Sequence, residues 1–212
     1  MFLDRFATPQ LPPAFKYVLE DQTPILVRPL RPDDAPRLRA GFSLLSQLAR
    51  RRHNFAEQGG LEEETLQSLF NRNPKEGCAW GAANMKKPDE PGIGIARYVR
   101  VNGDPSAADV AIVIGDNYQG RGAGFVLQAC LHITAGRNGI RTFYYDVPSD
   151  YDRIIEHLKL MGATHAGRAD NIDRLQMPVY KRPADVPKGN AIARRFAEVF
   201  KKLHSVEEVA DA

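Results

Sequence analysis

Val110 to Gly124, VAIVIGDNYQGRGAG, constrains this chain more than any other stretch. An apolar run ends in a polar turn. Three glycines follow at alternate positions (Gly120, Gly122 and Gly124), and an apolar helical pattern then runs from Phe125 to Ala135. The order reads as strand, turn and helix N-terminus. A helix start presents backbone N–H groups without intrahelical partners and a partial positive charge, which suits a phosphate. Glycines let such a ligand approach the backbone closely. The spacing excludes a P-loop, because no Gly-Lys-Ser/Thr follows, and a dinucleotide fingerprint, because Gly-x-Gly-x-x-Gly is absent.

The flanking sequence supplies the rest of an alternating pattern. Residues 1–23, with Pro9, Pro12 and Pro13, read as an extended lead-in. Ile25 to Leu30 reads as a first strand. Leu38, Phe42, Leu45 and Leu48 recur at helical spacing after Asp33-Asp34, which can cap a helix. A second helix is expected from Glu62 to Phe70. Gly77 to Met85 and Gly92 to Val101 read as strands joined by a polar turn. Asp109 to Ile114 is the strand before the glycines. The helix after them closes at Asn138-Gly139, a good C-terminal pair. Ile140 to Val147 reads as a strand, Asp150 to Met161 as a helix closed by Gly162, and Thr164 to Gly167 and Ile172 to Tyr180 as the last two strands. Beyond Pro183 and Pro187, Ile192, Phe196, Val199, Phe200, Leu203 and Val206 trace an amphipathic helix over 188–210. That helix packs on its own domain or serves a homodimer or partner contact.

A chain of 212 residues suits one large domain with an appendage. Its 29 basic and 26 acidic residues leave a net charge of +3, which demands neither nucleic acid nor a membrane surface. No apolar run approaches membrane-spanning length, and the N-terminus lacks a signal-peptide core. A cytoplasmic protein is expected. Cys78 and Cys130 lie far apart in apolar surroundings and read as reduced core residues, and the five histidines show no metal-ligand spacing, so no metal is expected.

Gln119-x-x-Gly122-x-Gly124, preceded by a strand and the turn residues Asp116 and Tyr118, resembles motif A of the GNAT N-acetyltransferase superfamily. The order of elements from Pro24 to Lys181 resembles that family too. The resemblance implies an α/β (α+β) fold over residues 24–182. Its mixed, twisted sheet has about seven strands, with helices on both faces, an extra C-terminal helix, and fourth and fifth strands that splay apart. It implies acetyl-CoA as cosubstrate. Cofactor contacts would fall on Ile112, Val113 and Ile114, and pyrophosphate contacts on Gln119, Gly120, Arg121, Gly122, Ala123, Gly124 and Phe125.

Acetyl transfer to an amine requires removal of the ammonium proton and polarisation of the thioester oxygen. Many family members carry a Glu close to the acetyl group, at the point where this chain has Asp109. Asp109 is therefore the candidate general base. It is one methylene shorter, which favours a bridging water, and strand alternation puts it on the face of Ala111 and Val113. In the family a later helix carries an Asn that contacts the pantetheine and a Tyr that protonates the thiolate. These positions fall on Tyr151 and Leu158. Tyr151 can still hydrogen-bond through its hydroxyl, whereas Leu158 cannot donate a proton. His157 reads as a surface residue.

The N-terminal third, with Arg28-Pro29-Leu30-Arg31-Pro32-Asp33-Asp34, Phe42 to Ser46 and Arg50 to Phe55, resembles bacterial protein lysine acetyltransferases of the Pat type. The resemblance implies a primary amine acceptor such as a protein lysine. A small amine, or a CoA-binding sensor without turnover, are the alternatives. Arg50–Arg52 attracts an acidic partner or caps a helix end.

Overall fold

The computed structural model describes residues 13–45, 63–70 and 73–206. Leu48, Arg50–Arg52, Phe55, Glu62 and the first part of the expected lead-in lie outside the described residues. The described chain forms one eight-stranded sheet with helices on both faces.

The strands are β1 (Phe15–Val18), β2 (Pro24–Pro29), β3 (Gly77–Asn84), β4 (Gly94–Val101), β5 (Asp104–Ile114), β6 (Thr142–Pro148), β7 (Thr164–Ala169) and β8 (Ile172–Pro178). Their order in the sheet is β1-β2-β3-β4-β5-β6-β8-β7. Neighbours are antiparallel except β5 and β6, which run parallel. The helices are α1 (Ala35–Leu44), α2 (Glu63–Leu69), α3 (Ala123–Arg137), α4 (Asp152–Leu160) and α5 (Ala191–Leu203).

Three boundaries differ from the sequence expectation, and one is the C-terminal helix, which spans Ala191–Leu203 instead of 188–210 and leaves Val206 beyond its end. The end of the lead-in is an edge strand, β1, which raises the strand count to eight. Phe15 is fully buried and packs on Trp80 at 6.2 Å, so an apolar anchor fixes a segment whose prolines stop just before it. β5 begins at Asp104 instead of Asp109, directly after the Asn102-Gly103 turn, where Gly103 has φ +84°. Pro105 and Ser106 hide that start from a search for apolar alternation.

The sheet separates two cores. On one face Leu38 and Phe42 of α1 and Leu66 and Leu69 of α2 pack on Ala79, Ile95 and Val113. On the other lies α3, which is buried nearly all round, as expected of a helix covered on both sides. Its second cover is α5, whose Phe196, Phe200 and Leu203 are buried in the same core. The Asn190 side chain caps α5 by accepting from the Ala193 N–H at 2.8 Å, and its amide donates to the Leu160 carbonyl at 2.7 Å. The apolar stripe of α5 is thus spent within the chain. Asn138-Gly139 and Gly162 close α3 and α4 in left-handed or near-cap geometry, with φ +80° at Gly139 and +100° at Gly162.

Candidate active site

The pairing of β5 with β6 is short. It joins Ala107 to Thr142, Ala108 to Phe143 and Asp109 to Tyr144, and then stops. β5 continues to Ile114 while staying paired to β4. The expected splay is therefore present and begins at Asp109. From there to Ile114 an edge of β5 about 17 Å long faces an open cleft.

Alternation decides which backbone groups line it. The Ser106 carbonyl accepts from the Arg141 N–H at 2.7 Å, so even-numbered residues turn their backbone groups toward β6. The Gly115 N–H donates to Ile93 at 2.9 Å, and a Cβ at Gly94 would strike the Val113 carbonyl oxygen, so odd-numbered residues turn toward β4. The groups of Ile112 and Ile114 accordingly face the cleft beyond the last β5–β6 pair. Those of Val113 face β4, and its buried side chain joins the α1 core. The Gln119 amide donates to the Ile114 carbonyl at 3.3 Å and to Asp116 at 3.0 Å, bracing the turn that follows.

The glycine loop leads from this edge into α3. Gly120 has φ +75° and Gly122, the N-cap of α3, has φ +93°, both in the region that favours glycine. The N–H groups of Phe125 and Val126 bond back to the Gly122 carbonyl. Ala123 and Gly124 come one turn too early for such bonds, no side chain caps the end, and no acid lies in the first turn. A Cβ built on Gly120 meets nothing within 4 Å, and one on Gly124 meets only the Ile114 side chain at 3.8 Å. Donors, dipole and open space coincide there, and they fit a pyrophosphate.

Two arginines flank the loop. Arg121 pairs with Asp21 at 2.9 Å and lies over the Tyr118 ring at 5.2 Å. Arg195 of α5 pairs with Glu20 at 2.7 Å and lies over Phe125 at 5.3 Å. A cavity of about 430 Å3 adjoins Gly122 here, lined by Tyr17, Glu20, Arg121, Arg195 and Lys202. The sequence offered no sign of Arg195, because α5 returns to this place only in the folded chain.

Phe125 also stacks on His157 of α4 at 5.5 Å, so His157 is half-buried and not a surface residue. Burial, then Arg153 and Arg195, hold its pKa below the ordinary value. Tyr151 is the N-cap of α4 and packs half-buried against the main core. Leu158 is buried in that core, and so offers the cleft neither a proton nor a polar atom.

Asp109 is the sixth of eleven residues in β5, not the first. Its register partner on β4 is Val99, and on the same face Ala111 and Val113 join the α1 core as alternation predicts. Its side chain is 51% exposed and is held by Arg174 of β8. The same guanidinium binds Asp146 of β6 at 2.9 Å and lies over the Tyr144 ring at 4.5 Å. Burial raises the Asp109 pKa, Arg174 lowers it, and Asp146 raises it; the balance stands above the ordinary carboxylate value. A carboxyl group moved toward neutrality suits a general base.

On the same sheet face, a cavity of about 150 Å3 lies between α1 and the far end of β5, lined by Arg28, Asp34, Leu38, Phe42, Gly94 and Val113. Arg28 and Asp34 form a two-bond ion pair in its wall, each bond 2.7 Å. Among the described residues no group of His, Cys, Asp and Glu is arranged to hold a metal, and no helix is long and apolar enough to cross a membrane. Burial pushes the Cys78 thiol up to about 12 and raises Cys130 as well, which disfavours the reactive thiolate; Cys130 is buried in the core and Cys78 packs half-buried against it.

The family model described as "Acetyltransferase (GNAT) domain" matches residues 25–150, more than half the chain. The chain belongs to the GNAT acetyltransferase family. GNAT enzymes use acetyl-CoA, and the open β5 edge and glycine loop of this GNAT chain fit that molecule's amide-bearing arm and pyrophosphate. Over 126 residues, 59% of this chain and 67% of the relative, it is 30% identical to acetyltransferase PA5475 of Pseudomonas aeruginosa. It is 36% identical over 73 residues to acetyltransferase Pat of Mycolicibacterium smegmatis, covering 34% of this chain and 22% of that relative. The GNAT domain of S. lividans PAT shares the fold, with a TM-score of 0.69 at 24% identity over 78% of this chain and 96% of that one.

Proposed function

We propose that this GNAT enzyme acetylates a primary amine, with a protein lysine as acceptor, by direct attack in a ternary complex, and that Asp109 is the general base. One observation carries the reading. The β5–β6 pairing ends at a half-exposed carboxylate, and the open edge runs from it to the glycine loop.

The N–H groups of Ala123 and Gly124, with Gly120 and Gly122 giving room, bind the pyrophosphate, and Gln119 and Phe125 shape the loop. Arg121 adds charge once released from Asp21. Ile112 and Ile114 bind the arm through their backbone as an added strand would, while Val113 supports them from the α1 side. Tyr151 stands at the start of α4 as a further cofactor contact. Bound acetyl-CoA supplies the thioester carbon that the amine attacks and the thiolate that leaves. A backbone N–H on the open β5 edge beyond Asp109, such as that of Ile112, stabilises the charge that develops on the carbonyl oxygen. Asp109 accepts the ammonium proton, directly or through one water. Leu158 supplies no acid, and a thiolate needs none to depart.

The Pat relatives support the lysine acceptor. A small amine is the second reading, favoured by the 150 Å3 cavity on the acceptor face. Labelled acetyl-CoA offered to separate protein and metabolite fractions distinguishes them by where the label goes. Acetyl-CoA as the donor also suits a cytoplasmic enzyme.

Asp109→Asn tests the base. Acetyl transfer falls by about a hundredfold or more, while acetyl-CoA affinity by calorimetry is unchanged. A full rate at every pH would remove Asp109 from the mechanism.

A further inference from the structure

We propose that Arg174 is a positioning residue for Asp109. From β8 it clamps Asp109 of β5 and Asp146 of β6 across the point where those two strands part, and the two carboxylates share its one guanidinium. The inference rests on the reading of Asp109 as the base.

Three strands converge on this point. Tyr144 is the register partner of Asp109 and the last residue of β6 to pair with β5. Asp146, two residues on, is the register partner of Arg174. The Arg174 guanidinium lies over the Tyr144 ring at 4.5 Å, which fixes the plane of its fork. One nitrogen reaches Asp109 and the other reaches Asp146, at 2.9 Å and 3.1 Å.

The fold does not need this clamp for pairing. β6 and β8 are already laddered over seven register pairs. What the clamp adds is control of a carboxylate at the mouth of the cleft. Beyond Asp109 the strands separate, and β6 supplies no further partner to hold that side chain.

Among the described residues, the charged and titratable groups that face Asp109 are few. β8 supplies Arg174, and β6 supplies Asp146 and Tyr144. β4 places Val99 opposite it and Arg97 one pair further on the same face, where Arg97 bonds Ser68 next to α2's end at 3.0 Å. Arg174 favours the carboxylate, and Asp146 opposes it by charge and by competing for the guanidinium. Removing these two neighbours therefore moves Asp109 in opposite directions. Any shared ion pair shifts a carboxyl group in this way, whereas a positioning role also carries the two shifts into the pH dependence of acetyl transfer.

The test is a carboxyl-carbon NMR titration of the full chain without acetyl-CoA, with Asp109→Asn assigning the signal. Arg174→Gln moves the Asp109 midpoint to higher pH, Asp146→Asn moves it to lower pH, and Arg174→Lys restores part of the wild-type position. The base works ionised, so the acidic limb of kcat/KM for transfer to a lysine-containing peptide follows the same order. Below that limb Arg174→Gln loses about three- to fivefold. Midpoints that stay put or move the same way in both variants, or an acidic kcat/KM limb that does not follow them, overturn the proposal. If circular dichroism shows that Arg174→Gln does not fold, Asp146→Asn decides alone, and absence of a downward shift overturns it. An inactive Asp109→Asn with unmoved midpoints removes only the clamp, whereas a fully active Asp109→Asn removes the base reading itself.

Discussion

His132 of α3 is fully buried, which disfavours its charged form. Its Nδ1 accepts from the Tyr180 N–H at 3.0 Å, and its ring stacks on Tyr180 at 5.1 Å with Phe143 and Phe196 close by. Burial lowers its pKa to about 3 from an ordinary 6.5. The unfolded chain binds a proton there more readily than the folded one between those values, so stability is full above about pH 6.5 and falls as pH drops toward 3. The loss reaches about 1.4 kcal/mol by about pH 5.5. Urea titrations across that range measure it, and His132→Asn, which keeps an acceptor for Tyr180, flattens this part of the pH dependence. The sequence shows His132 as an unremarked polar residue in an apolar helix. Asp109 was more legible, because alternation alone assigns its face. Arg174 and Asp146 were not, since each looks like an ordinary outward residue of its own strand.

At the scale of elements, the strand–loop–helix unit from β5 to α3 is written locally. Positive φ at Gly120 and Gly122 and an uncapped helix start are properties of near neighbours in the chain. They also determine which glycine makes a clean probe. A side chain at Gly120 or Gly122 costs about 1–2 kcal/mol in backbone strain, which mixes folding with binding. Gly124 lies within α3 and leaves a Cβ in ordinary contact with Ile114. Gly124→Val is therefore expected to fold normally, by circular dichroism, and to cover the N-terminal donors. Hydrogen bonds to a charged group are worth about 1.5–3 kcal/mol, so acetyl-CoA affinity by calorimetry falls at least about tenfold. Unchanged affinity would remove the glycine loop from the ligand. The misread elements fail for an equally local reason. β1 has four residues, too few for periodicity to register, and the start of β5 is masked by Pro105.

In the whole molecule, α5 is part of the main core and carries Arg195 to the loop. Phe196 is fully buried among Phe125, His132, Tyr180 and Phe200. Phe196→Ala is expected to cost about 3–5 kcal/mol, read as a lower urea midpoint, and a small effect would mean that α5 is loosely held. The sequence by itself determined the helical stripe of α5, the glycine-rich turn between β5 and α3, and the face of Asp109. Each follows from backbone preference or from a repeat within a few residues. Only the tertiary structure decided where β6 leaves β5, what covers α3, and that Arg174, 65 residues from Asp109, holds it. Sheet order and register set those contacts. They depend on how whole elements bury their apolar faces together, and no local pattern carries that information.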